Sequence, residues 1–279
     1  MINILLCGNQ KVFDGALSEL ISITNKTKEA ITCYIFTMDV SRIKPEYTCI
    51  EDEQVEFLDQ VVKNKNPENK IIKADVTNIY EREFANCANE TAYCTPYTLL
   101  RLLADLVPGM PDKLLYLDID MMANGDISPL YHTDIEEYEY AAVKEKYGSK
   151  MIRPDYINAG MLLLNMKKIK ETKLLEKARE LIKRKKLLFA DQDAIFWNTT
   201  KKKLLPRKYN EQASFNKKDT VICHFCKRLL WLPYPHTENY KQWNIEEIHK
   251  YLKCYTFDKD LEEYKKLKEQ FNTKMKEEV

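Results

Sequence analysis

The first half of the chain alternates short apolar runs with stretches whose apolar residues fall at helical spacing, and this alternation limits the fold more than any other feature. Ile4-Leu5-Leu6-Cys7 is followed by Phe13, Ala16, Leu17, Leu20 and Ile21 on one helical face. Ile31-Thr32-Cys33-Tyr34-Ile35-Phe36 precedes a helical stretch from Val55 to Val62, and Ile71-Ile72 marks a third strand. Thr95 is placed as an N-cap with Pro96 at the first helical position; Leu99, Leu102, Leu103 and Leu106 then form a stripe that Pro108-Gly109 ends. Leu114-Leu115-Tyr116-Leu117 is continuously apolar, as a strand covered on both faces requires. Such alternation predicts an α/β fold with a largely parallel sheet and right-handed crossovers.

The second half is less regular. Tyr156 to Met166 contains an apolar strand, Ile169 to Lys186 a charged amphipathic helix, Asp191 to Trp197 a short helix and Val221-Ile222-Cys223 a brief strand. Pro233 to His236 is a turn-rich break before a Lys/Glu-rich, helical C-terminus. No linker separates two independent units. The expectation is one compact domain over 1–232 with a C-terminal helical extension over 233–279. At 44% hydrophobic residues the chain can bury a core without a disulfide or metal staple. Its cysteines (Cys7, Cys33, Cys49, Cys87, Cys94, Cys223, Cys226, Cys254) are scattered and read as reduced thiols. Forty-four basic against forty-three acidic residues give a net charge of +1, which argues against a nucleic-acid partner. The start of the chain shows no basic region or cleavage site, and no apolar run approaches the ~18 residues that span a bilayer. The expected location is cytoplasmic. Peripheral contact with the inner face of a membrane stays open for the C-terminus, although its balanced charge favours a solvated helix.

Asp118 and Asp120 carry the chemistry first. In an extended segment, residues i and i+2 point to one side, about 6.5–7 Å apart. At the carboxyl end of a buried strand they would enter the crevice where open α/β sheets bind ligands, and two hard oxygens can hold a divalent cation. Aspartyl-nucleophile phosphatases also open their sites with Asp-x-Asp, with the first Asp, here Asp118, attacking phosphorus. The depth of the motif in the chain, and Met122 where a hydroxyl residue commonly follows, count against that alternative. His224, in an apolar strand, reads either as a core histidine or as a ligand. Cys223-x-x-Cys226 lacks a second Cys/His pair, so structural zinc is not expected. Asn158-Ala159-Gly160 opens a strand with small residues that let a ligand approach the backbone; a plain bulge is the other reading. Asp191-Gln192-Asp193 suits a helix start, with Asp191 as an ordinary N-cap. Arg101, one helical turn after Tyr97, faces either solvent or the cleft.

Together and in this order these pieces resemble glycosyltransferase family 8, the retaining enzymes that include bacterial lipopolysaccharide galactosyl- and glucosyltransferases and the glycogenins. The resemblance runs from the first strand to about Trp231. It rests on the Cys7-Gly8-Asn9-Gln10 loop, Arg101, Leu117-Asp118-Ile119-Asp120, Tyr156-Ile157-Asn158-Ala159-Gly160, Asp191-Gln192-Asp193 and His224-Phe225. It implies a GT-A fold, a single Rossmann-like domain that takes a UDP-hexose donor with Mn²⁺, or alternatively Mg²⁺. Asp118, Asp120 and His224 would hold the metal, a set suited to Mn²⁺. Gly8, Asn9 and Arg101 would meet the nucleotide, with Ile119 and Ala159 in the donor-binding segments. Asn158, Asp191 and Gln192 would surround the transferred sugar, Gln192 nearest the anomeric carbon. The acceptor would be a saccharide or lipid-linked glycan.

Two departures stand out. The family's late motif usually reads His-x-x-Gly-x-x-Lys-Pro-Trp, whereas here it reads His224-Phe225-Cys226-Lys227-Arg228-Leu229-Leu230-Trp231. With the aligned lysine gone, phosphate binding is expected either to pass to Lys227 or Arg228 or to be weaker. The first loop carries Gln10-Lys11-Val12 where acidic and tyrosine residues are common. These departures leave room for a catalytically weak nucleotide-sugar binding protein as a third reading.

Overall fold

A computed structural model describes residues 1–91 and 95–277; Cys94 lies outside them. A seven-stranded sheet has the order β3-β2-β1-β4-β7-β6-β8. Its strands are β1 (Ile2–Cys7), β2 (Ile31–Thr37), β3 (Lys70–Asp75), β4 (Lys113–Leu117), β6 (Tyr140–Lys144), β7 (Ile157–Asn165) and β8 (Lys202–Leu204). The β1–β2, β2–β3, β1–β4 and β6–β8 pairs are parallel, while β7 runs antiparallel to both neighbours. Two short antiparallel ribbons lie outside it: β5 (Met121–Ala123) with β9 (Ile222–His224), and β10 (Arg228–Leu230) with β11 (His236–Glu238).

The apolar runs divide by strand period between the two faces of the sheet. Ile2, Ile4, Leu6, Leu115, Leu117, Met161 and Leu163 join one core, beneath the Phe13–Lys26 helix. Leu5, Cys7, Leu114, Tyr116, Leu162 and Leu164 join the other, beneath Pro96–Leu103 and the Leu174–Arg184 helix. Continuous hydrophobicity in β1 and β4 thus reflects burial on both sides. The seven described cysteines are free thiols.

Three local expectations change. The Pro96–Leu103 segment is a 3₁₀ helix in which Tyr97 and Leu99 through Leu103 are all buried, so it has no solvent face for Arg101. Its tighter pitch turns both the leucine stripe and Arg101 inward. The helix expected from Ile169 to Lys186 is two helices, Met166–Thr172 and Leu174–Arg184, because Lys173 adopts a left-handed conformation at φ 57°. Asp191 is not the cap of the Ala190–Asn198 helix. Asp193 Oδ2 accepts from Phe189 N at 2.9 Å, which leaves Asp191 for other work.

The chain beyond 232 returns to the body of the molecule. After the β10–β11 hairpin it returns to the turn that follows β4 at Lys241-Gln242-Trp243, where Lys241 pairs with Asp120 and Gln242 Nε2 donates to Ile119 O at 2.9 Å. The Asp258–Glu277 helix then packs along Phe13–Lys26, with Phe13 and Phe271 rings 4.5 Å apart and Tyr264 donating to Asp14 at 2.8 Å. Among the described residues, no helix is long and apolar enough to cross a membrane.

Candidate active site

β4 delivers the two carboxylates, but on a turn and not on an extended segment. Asp118 N still donates to Gly160 O of β7 at 2.7 Å. Ile119 and Asp120 then turn the chain out of the main sheet so that β5 can pair with β9. That pairing sets Met121 opposite His224, and Phe225 N donates to Asp120 O at 2.8 Å. The ribbon therefore brings a residue from late in the chain against the strand-end aspartates. His224 Nε2 lies 3.0 Å from Asp120 Oδ1 and 3.7 Å from Asp118 Oδ2, and the three ligand atoms all fall within 4.8 Å of one another.

The outer oxygen of each carboxylate is held by a cation. Arg101, 4% exposed, donates to Asp118 Oδ1 at 2.8 Å and to Ala159 O at 2.5 Å, contacts Asp191 Oδ2 at 3.2 Å, and lies 4.0 Å over the Tyr116 ring. Tyr116 also donates to Asp118 Oδ1, at 2.5 Å. Lys241 pairs with Asp120 Oδ2. Burial works to raise the Asp120 carboxyl, yet Lys241 and His224 hold it far below the usual carboxylate range. The reverse holds at Asp191: burial outweighs Arg101, the charge on Asp118 adds to it, and the carboxyl is pushed up to about 6. Arg101 bonds the strand-end turn, β7 and the Asp191 helix into one unit.

The inner oxygens and His224 Nε2 suit a divalent cation. Two hard oxygens and an imidazole form a donor set that Mn²⁺ or Mg²⁺ chemistry accepts, Mn²⁺ more readily. The cradle beneath them depends on Gly160: a Cβ there would fall 2.4 Å from His224 Cε1 and 2.7 Å from Asp118 Oδ2. A cavity of about 410 Å³ opens above, lined among others by Gly8, Asn9, Tyr47, Arg101, Asp118, Asp120, Lys241 and Trp243. A groove of similar size, about 420 Å³, lies at the other end of β4 among Lys113, Asp134, Lys167 and Glu171, away from these groups.

The remaining sequence candidates divide. Gln192 Oε1 accepts from Ala159 N at 2.9 Å, tying the Asp191-Gln192 turn to β7. Asn158 Oδ1 accepts from Gly160 N at 3.0 Å. Asn9 is buried and caps the turn after it through Lys11 N; Gly8 is needed because a Cβ would meet Val12 at 2.5 Å. Ile119 lends its carbonyl to the buried Gln242, whose Nε2 donates at 2.9 Å. Lys227 is exposed, and neither it nor Arg228 is among the residues lining the cavity.

Lys241, Gln242 and Trp243 are the residues sequence reasoning missed. Their signal was present as a lysine and a tryptophan at Lys-x-Trp spacing. The β10–β11 hairpin separates them from His224 and moves them beyond the aligned position.

Comparison with known proteins identifies the family and the fold. The profile described as Glycosyl transferase family 8 matches residues 3–247. The lipopolysaccharide 1,2-glucosyltransferase of Escherichia coli K12 is 36% identical over 124 residues, 39% of this chain and 37% of that protein. The lipopolysaccharide 1,3-galactosyltransferase of Salmonella typhimurium LT2 is 29% identical over 140 residues, 43% of this chain and 42% of that one. The chain's match thus spans less than half the length of these curated relatives. The galactosyltransferase LgtC, solved with donor and acceptor sugar analogs, superposes over 95% of this chain and 96% of its own at TM-score 0.66 and 16% identity, which establishes a shared fold.

Proposed function

The chain belongs to glycosyltransferase family 8, and on that premise we propose that it is a retaining, metal-dependent transferase that moves a hexose, glucose or galactose, from a UDP-sugar to a saccharide or lipid-linked acceptor. The observation that carries the reading is the convergence of Asp118 Oδ2, Asp120 Oδ1 and His224 Nε2 over Gly160 at one end of the cavity. A divalent cation held by these three atoms would neutralise charge on the departing diphosphate.

The protein's own groups supply the rest. Lys241 Nζ, beside Asp120, offers a second positive charge for the diphosphate and takes the part of the family lysine missing from the aligned position. Tyr47 and Trp243 give the cavity aromatic walls for the nucleoside. The Asp191 carboxylate would stabilise positive charge developing on the sugar. Gln192 is an amide, a weak nucleophile whose carbonyl oxygen is already engaged by Ala159 N. This favours attack by the acceptor hydroxyl on the face the diphosphate leaves, with Gln192 positioning the sugar. The match of residues 3–247 to the glycosyltransferase family weighs against the phosphatase reading of Asp118.

A panel of UDP-sugars assayed for Mn²⁺-dependent hydrolysis tests donor and activity without the acceptor. Asp118→Asn should abolish both hydrolysis and its response to Mn²⁺. Undiminished turnover in that variant would overturn the metal assignment. Donor binding without hydrolysis of any UDP-sugar would favour a binding protein.

A further inference from the structure

We infer that Asn210 is a positioning residue that fixes the tautomer of His224 and ties the metal ligand to the donor-side residue Asn158. The inference rests on reading Asp118, Asp120 and His224 as a metal site.

The chain of bonds starts from a donor of known identity. The backbone N–H of Gly160 donates to Asn158 Oδ1 at 3.0 Å, which orients the Asn158 amide. Asn210 approaches the same oxygen at 2.9 Å, and only its Nδ2 hydrogens can donate there. Asn210 Oδ1 must then be the atom facing His224 Nδ1, 3.2 Å away, and a carbonyl oxygen can only accept. The proton of the neutral ring therefore belongs on Nδ1. With a cation bound, its lone pair belongs on Nε2, the nitrogen turned toward Asp120 Oδ1 at 3.0 Å and Asp118 Oδ2 at 3.7 Å. The opposite tautomer would set a lone pair against the amide oxygen and aim an N–H at the metal position.

Asn210 is suited to this by burial and by backbone. It is 0% exposed, so no solvent competes for either end of its amide. Glu211 N donates to Ile222 O and His224 N to Glu211 O, both at 2.9 Å, which locks its register against β9. One amide thus spans from β7, beneath the proposed sugar site, to the imidazole.

The test uses histidine labelled with ¹⁵N in the full chain, with Cd²⁺ as a diamagnetic probe. Long-range ¹H–¹⁵N correlation should show the His224 proton on Nδ1 and cadmium coupling at Nε2. In the cadmium-loaded protein, a proton on Nε2, or cadmium on Nδ1, would overturn the inference. In parallel, Mn²⁺ affinity is read by water-proton relaxation without any donor present. Asn210→Leu should weaken Mn²⁺ about 10–100-fold. Asn210→Asp keeps the acceptor for Nδ1–H but loses the donor to Asn158 Oδ1, so it should retain the wild-type tautomer and weaken Mn²⁺ less than the leucine variant does. Equal losses in two folded variants would point to mere structural support and overturn the inference. Should Asn210→Leu fail to fold, the wild-type tautomer and Asn210→Asp still decide. Cadmium on Nε2 in a protein that hydrolyses no UDP-sugar would uphold this inference and overturn the donor assignment.

Discussion

Adding a single methyl group at Gly160 tests the metal cradle most sharply. Gly160→Ala places a Cβ 2.4 Å from His224 Cε1 and 2.7 Å from Asp118 Oδ2, so one of the two proposed ligands must move. Mn²⁺ affinity should fall at least ~10-fold, with far-ultraviolet circular dichroism unchanged. Asp191 sets two pH dependences, one of activity and one of stability. With its carboxyl raised to about 6, it is ionised above that value and protonated below it. Donor hydrolysis should therefore decline below pH 6, roughly tenfold per unit, and Asp191→Asn should be slow with that limb flattened. The raised value also means that Asp191 contributes stability below about 3.8 that is lost as pH rises through about 6. Asp191→Asn, which cannot ionise, should consequently melt higher than the parent protein at pH 8. At this scale the two aspartates were readable because an apolar strand leads straight into them. The linking role of Arg101 was not, since it depends on a 3₁₀ pitch that leucine spacing does not reveal. Asn210 was invisible for a different reason: its partners, Asn158 and His224, are distant in sequence and met only through folding.

At the scale of elements, β1, β2, β4 and β7 were legible because burial on both faces leaves unbroken apolar runs, whereas β6 and β8 of the same sheet were not expected from the sequence. Where helices break or tighten, as at Lys173 and Pro96–Leu103, the cause is a single backbone conformation with little compositional trace. The C-terminal helix was recognised by its Lys/Glu content, which says nothing of its packing partner. Its docking is aromatic: Phe271 sits 4.5 Å from Phe13 and 5.2 Å from Phe57. Phe271→Ala should cost about 3 kcal/mol in urea unfolding, a loss expected of a buried aromatic ring. The effect should extend to the site, because the same Phe13–Lys26 helix carries Gly15, where a Cβ would meet Ile119 Cγ2 at 2.2 Å.

For the whole molecule, the fold class and the order of site segments were available from the sequence. The closure of the site by residues past 232 was not, because the hairpin separates Lys241 from the His224 segment in sequence. A site assembled from β4, β7, β9, the Ala190–Asn198 helix and the Lys241 segment should gain rigidity on loading. At 100 times the dissociation constant, a ligand specific for the folded state adds about 2.7 kcal/mol. UDP with Mn²⁺ should accordingly raise the melting temperature by roughly 5 °C, and either component alone should do much less. The β10–β11 hairpin has a consequence of another kind. Phe225 and Lys241, flanking it, are each bonded to Asp120, while its tip exposes Trp231, Leu232 and Tyr234. A protease cut at that tip would leave two chains still clasped through one carboxylate and its backbone. The hairpin is therefore a splice point, where a loop of different length or a grafted peptide could be exchanged without unfastening the catalytic floor.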